Sequence, residues 1–211
     1  NEKNIFLYSA MQRIGNLPLS NQFLEMDPIN LSIPIILSSE TNIELRLKAA
    51  HFAFTNKLIN IDSLAALYQT VDFTYKELNK PKEFLNTMKD NIEMGMAFYY
   101  QLINIQLLPI TRLEAIIQFW EYAKKSNLEL IAYKLSLKNL NSVEPTLELS
   151  KYGPDIAKSY IFDEDFERAE KWLLFSENSL NDNYSVSKIN ESRFLFNIYN
   201  YDENYDLIKI L

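Results

Sequence analysis

Asp155-Ile-Ala-Lys-Ser-Tyr-Ile-Phe-Asp-Glu-Asp-Phe-Glu-Arg-Ala169 decides the fold of this chain, because small and aromatic residues alternate in it as a tight helix-turn-helix requires. Ala157 and Ala169 fall where two antiparallel helices would cross, and a larger side chain at either would push the backbones apart. Replacing Ala169 with Leu is therefore expected to overpack the crossing, at about 1 to 3 kcal/mol. The same change at Lys158, read as a surface position, is expected to be nearly silent. Tyr160 and Phe166 fill the space beside the crossing. Between the helices lies the short polar turn from Phe162 to Phe166, with Asp165 placed to cap the second helix and Glu167 and Glu170 favourable at its positive N-terminal end.

Outward from this hairpin the same helical pattern holds. Ile43, Leu47, Ala50 and Phe54 form one stripe, and Leu64, Leu67, Tyr68 and Val71 another, with Asn60-Ile-Asp62 as the joint. Further stripes run through Ile92, Met96, Tyr99 and Ile103, then Leu113, Ile116, Ile117 and Trp120, then Leu128, Ile131, Ala132 and Leu135. Thr41 with Glu44, and Thr111 with Glu114, predict two capping boxes, and Pro81 and Pro109 punctuate between helices. No segment alternates as a strand would. Successive helix pairs start near residues 43, 78, 112, 147 and 184, an interval of about 34 to 37 residues, the range of helical-hairpin repeats. Two stretches break the pattern: residues 15 to 40, where Pro18, Pro28 and Pro34 interrupt the apolar spacing, and Gly153-Pro154, which has to kink or restart a helix.

The segment from about 147 to 180 resembles a tetratricopeptide repeat, from a family of helix pairs that stack into a superhelix and present a groove to partner proteins. It departs from the family pattern at Gly153, where a large aromatic is usual, at Glu164, where the turn glycine is usual, and at Asn181, where a proline often follows. The resemblance implies an all-α chain of stacked antiparallel helix pairs forming a right-handed α-solenoid, irregular over its N-terminal 40 residues, with residues 1–211 as a single helical repeat domain. It also implies a non-catalytic scaffold for protein-protein interaction, with a concave face lined by the first helix of each pair. Asn127, Glu129, Lys151 and Asp155 are the surface positions expected near that face. An acidic chain should hold a protein or peptide there that is neutral or basic. Asn1 at the start and the apolar spacing of Asp206-Leu-Ile-Lys-Ile-Leu211 at the end read as cuts within a longer protein.

Composition excludes several classes. With 211 residues, 47% of them hydrophobic, the chain carries enough apolar mass for a core. Only Gly15, Gly95 and Gly153 are glycines, too few for a sheet protein with many tight turns or for a phosphate-cradling loop. A formal charge of -7, with scattered lysines and arginines, argues against nucleic acid and anionic membrane as partners. No basic leader with an apolar core opens the chain and no apolar run is long enough to insert into a membrane, so cytoplasm and periplasm both stay open. Without cysteine there is no disulfide framework, thiolate metal site or cysteine nucleophile.

Candidate chemistry is sparse, and the reading assigns no catalytic residue, no metal and no cofactor. His51, the one histidine, sits mid-helix with no nucleophile or spaced carboxylate beside it, and reads as a packing or surface residue. The acidic run Asp163-Glu-Asp165 with Glu167 lacks the ligand spacing of a calcium loop and reads as helix capping. Aromatics at Phe98-Tyr-Tyr100, Phe119-Trp-Glu-Tyr122 and Trp172 read as core. One motif is sharper: Glu191-Ser-Arg-Phe194 resembles the Glu-Ser-x-Phe of soluble lytic transglycosylases, in which the glutamate is general acid and base. The glycine-rich stretch that follows in that family is missing, since no glycine lies beyond Gly153. The alternatives to a scaffold are thus a helical superhelix accompanying a cell-wall enzyme, or a structural spacer in a larger assembly.

Overall fold

The computed structural model describes residues 22, 24–39, 41–88, 90–105, 108–180 and 182–210, with 201–210 described by backbone alone. Every regular element among them is helical, and no strand occurs among the described residues. The chain gathers into two compact units that divide between Leu102 and Ile103.

In the first unit, α1 (Pro28–Leu37) packs on α2 (Ile43–Thr55), and α2 on α3 (Ile61–Gln69). Two short helices follow, α4 (Tyr75–Asn79) and α5 (Pro81–Thr87), then α6 (Ile92–Ile105), which runs across the division. Pro28 occupies the first turn of α1, where a missing N–H costs nothing. The interruption expected at Pro34 does not occur, and the helix continues through it to Leu37. Gly15 and Pro18 lie outside the described residues, as does Asn181. Leu24, Leu31, Ile35, Leu45 and Ala49 form one buried cluster. Phe73 meets Phe84 and Phe98 edge-on while Phe84 stacks on Phe98 at 4.5 Å, so the Phe98-Tyr-Tyr100 run is core.

Neither predicted capping box forms. Asn42, one residue past the buried Thr41, caps α2 by accepting from the Glu44 N–H at 2.7 Å. Thr111 lies inside the next long helix, whose start is set by Pro109 in its first turn. The reciprocal box instead opens α4: the Thr74 N–H donates to Glu77 Oε2 at 2.6 Å, and the Glu77 N–H to Thr74 Oγ1 at 3.4 Å.

In the second unit, α7 (Pro109–Lys124) packs on α8 (Glu129–Leu140). A 3-10 turn (Leu147–Tyr152) then leads into α9 (Gly153–Ile161), which packs on α10 (Phe166–Ser179). The last helix, α11 (Asn183–Ile210), packs on both α9 and α10, and α8 contacts α9. Gly153-Pro154 restarts the helix, with Pro154 in the first turn of α9. Ala157 and Ala169 are fully buried, as the crossing requires. Gly153 extends the close approach, because a Cβ there would stand 1.9 Å from Ser176 Oγ on α10. That contact leaves no room for a larger side chain at this position.

Three interhelical turns share one geometry. Lys57, Asn127 and Glu164 all adopt left-handed backbone, with φ of 58°, 56° and 63°. In each, the next residue's N–H reaches back five residues: Leu58 to the Ala53 carbonyl (2.8 Å), Leu128 to Ala123 (3.0 Å) and Asp165 to Tyr160 (3.0 Å). The left-handed residue itself donates three residues back, to Phe54, Lys124 and Ile161. This pair of bonds satisfies the last carbonyls of α2, α7 and α9 and turns the chain into the following helix. Glu164 therefore performs the turn that glycine usually makes, and Asp165 caps α10 by accepting from the Arg168 N–H at 3.1 Å.

Candidate functional site

The second unit carries a cleft of about 210 Å³ built by three helices and floored by a fourth. Helix α7 contributes Ile117, Trp120, Glu121 and Lys124; α9 contributes Asp155 and Lys158; α11 contributes Tyr184, Lys188 and Glu191; Tyr133 comes from α8. These contributions repeat along the sequence. Glu121 and Lys124 precede Asp155 and Lys158 by 34 residues each, and these precede Lys188 and Glu191 by 33. Each helix thus offers one acid and one base three residues apart, which side by side on a helix face the same way.

The order of charge decides which ions pair. On α7 and α9 the acid comes first, and on α11 the base does. Helix α11 therefore answers α9 twice: Lys188 Nζ meets Asp155 Oδ2 at 2.9 Å, and Lys158 Nζ meets Glu191 Oε1 at 2.8 Å. Burial pulls the Lys188 ammonium down, but the Asp155 hydrogen bond and charge outweigh it and hold its pKa above the ordinary value. Lys158 is only 8% exposed, so its reading as a surface position is corrected. Its stem crosses the interface between α9 and α11 and only its charged end reaches Glu191.

The floor is rigid. Trp120, nearly buried, donates from Nε1 to Ser136 Oγ at 2.9 Å and stands edge-on to Tyr133 at 5.0 Å. Tyr133 in turn stacks on Phe162 at 5.5 Å. Burial, then the charges of Asp155, Glu129 and Glu191, push the Tyr133 hydroxyl well above the usual phenol range, so it stays protonated.

Glu191 has the wrong environment for a general acid. The Lys158 hydrogen bond, opposed by slight burial and joined by the charges of Lys158, Lys124 and Lys188, holds its carboxyl below the usual glutamate range. A general acid needs the opposite shift. Ser192 is buried and donates to the Pro154 carbonyl at 3.1 Å, which ties α11 to the start of α9, while Phe194 is exposed. Each motif residue thus has its own local reason.

Of the four surface positions expected near the groove, the structure brings Asp155 into the cleft. Asn127 is a turn residue, Lys151 lies over the Tyr152 ring at 4.7 Å, and Glu129 is half-buried in the first turn of α8. The cleft residues to which the sequence reading gave no place are Glu121, Lys124, Tyr133, Tyr184 and Lys188. For the charged ones the signal is an acid and a base three residues apart, in either order, recurring 33 or 34 residues along the chain.

His51 is buried in the first unit, where its Nε2 and the Tyr68 hydroxyl share a hydrogen bond of 2.5 Å that joins α2 to α3. Burial lowers its pKa to about 4. No group of His, Asp or Glu among the described residues could hold a metal, and none of their helices is long and apolar enough to cross a membrane. No family model, curated protein or solved structure matches the chain.

Proposed function

We propose that the chain is a protein-interaction scaffold in which tetratricopeptide-like helix pairs stack as a right-handed solenoid and present the α7, α9 and α11 face to a polypeptide. The observation that supports this reading most is the cleft itself, to which three successive first helices contribute side chains at equivalent positions 33 or 34 residues apart. Recurrence of a surface at the interval of the fold is what a stack of repeats produces. The cleft combines apolar lips at Ile117 and Tyr184 with balanced charge, which suits a neutral or mildly basic segment better than a strongly charged one. The chain's formal charge of -7 acts in the same direction by repelling acidic segments at long range.

The test is to pass a library of short random peptides over the full chain. The reading expects a retained pool that is neutral or basic in net charge and is released as salt rises. Retention should fall sharply when Ile117→Asp and Tyr184→Asp place charge on both apolar lips, and persist when the exposed Glu167 on α10 becomes Ala. Retention that ignores the lip variants would move binding elsewhere. Turnover of glycan strands abolished by Glu191→Gln would put the cell-wall alternative first.

A further inference from the structure

Resting on that reading of the cleft, we propose that it selects an extended segment in which two alternate residues carry opposite charges, a base and an acid seated on Glu121 and Lys124. Helices α7 and α9 present their charges in the same order, and no ion pair forms between Glu121/Lys124 and Asp155/Lys158. Helix α11 presents the reverse order and pairs completely with α9. Nothing among the described residues does the same for α7: Glu121 and Lys124 are exposed, and neither makes an ion pair or hydrogen bond there. Lys124 acts on Glu191 only through its charge, without a bond.

The missing counterpart is a pair of charges in the order that α11 uses. Two side chains three residues apart on a helix stand roughly 5 to 6 Å apart, and alternate side chains of an extended chain leave the same face roughly 6.5 to 7 Å apart. A base-x-acid segment laid along α7 can therefore reach both ions at once. Either chain direction meets the geometry, so acid-x-base serves equally when the segment runs the other way. A segment with two like charges would satisfy one of the α7 ions and be repelled by the other. Tyr184, 72% exposed and lining the same cleft, already carries the Lys188 ammonium over its ring at 5.3 Å, so the incoming base is left to Glu121.

The experiment is to sequence the peptides retained from the random library by the full chain, by Glu121→Gln/Lys124→Gln, and by the single variants. Two exposed ion pairs together are worth about fivefold in affinity. Mixed-charge triads should thus be enriched about fivefold over triads with two like charges on the wild-type chain. The enrichment should vanish in the double variant while peptides are still retained, and Glu121→Gln alone should shift it toward acidic residues. Because both side chains are exposed, loss of folding does not confound the comparison. Retention without mixed-charge enrichment, or enrichment that survives the double variant, overturns this inference and leaves the groove reading standing. No retention by the wild-type chain overturns both.

Discussion

Gly153 shows how much one side chain decides. Its missing Cβ lets α9 approach α10 until Ser176 fills the space, with the Ser176 hydroxyl held by the Trp172 carbonyl at 2.8 Å. Gly153→Ala drives a methyl into that hydroxyl and should destabilise the chain by about 1 kcal/mol or more. In a Ser176→Gly background the same substitution should be neutral or stabilising, because the clashing atoms are gone. Thermal melts of the two single variants and the double variant measure this coupling, and additive effects would place the contact elsewhere. His51 carries the second residue-scale expectation. Its folded pKa of about 4 lies below the ordinary histidine value of about 6.5, so the unfolded chain binds the proton more readily. Stability from keeping His51 neutral is present above pH 6.5, declines as pH falls from about 6.5 to about 4, and amounts to about 3 kcal/mol once lost. Denaturant midpoints across that window should fall with acidification, and the fall should be smaller in His51→Gln. An unchanged slope in that variant would remove His51 from the acid response.

At the scale of the element, the helices were legible and their ends less so. Stripes such as Leu64, Leu67, Tyr68 and Val71 mark a buried face whichever residue caps the helix, and all four are buried. Caps depend on single hydrogen bonds, and a neighbour can take them over, as Asn42 does from Thr41. The turns were harder still. Left-handed backbone normally shows in a sequence as glycine, but here Lys57, Asn127 and Glu164 adopt it and the bonds of the turn offset the cost. A prediction follows for Glu164, which is exposed and whose side chain is not needed for the turn. Glu164→Gly should stabilise the α9–α10 hairpin by about 0.5 to 1 kcal/mol by relieving the steric cost of φ above zero. A lower melting temperature for that variant would mean that the Glu164 side chain, rather than its backbone, matters to the turn.

For the whole molecule, the all-helical class was visible because helix after helix carries a buried stripe, whereas the cleft was not, because no single residue in it is unusual. Lys158 looked like an ordinary exposed lysine from its neighbours alone. Its burial comes from α11, 33 residues further along. The same holds for Glu121 and Lys124, whose meaning depends on the order of charge on two other helices. The proposed interaction face requires α9 and α11 to lie side by side with Asp155 against Lys188 and Lys158 against Glu191. Since the chain has no cysteine, two introduced cysteines can be joined without competing thiols. The most direct measurement is cross-linking of Asp155→Cys/Lys188→Cys with a short bifunctional alkylating reagent, read by mass spectrometry of the monomer. The account predicts efficient intramolecular linkage of that pair and little for Glu167→Cys/Lys188→Cys. Equal linkage of both pairs, or linkage only between molecules, would contradict it.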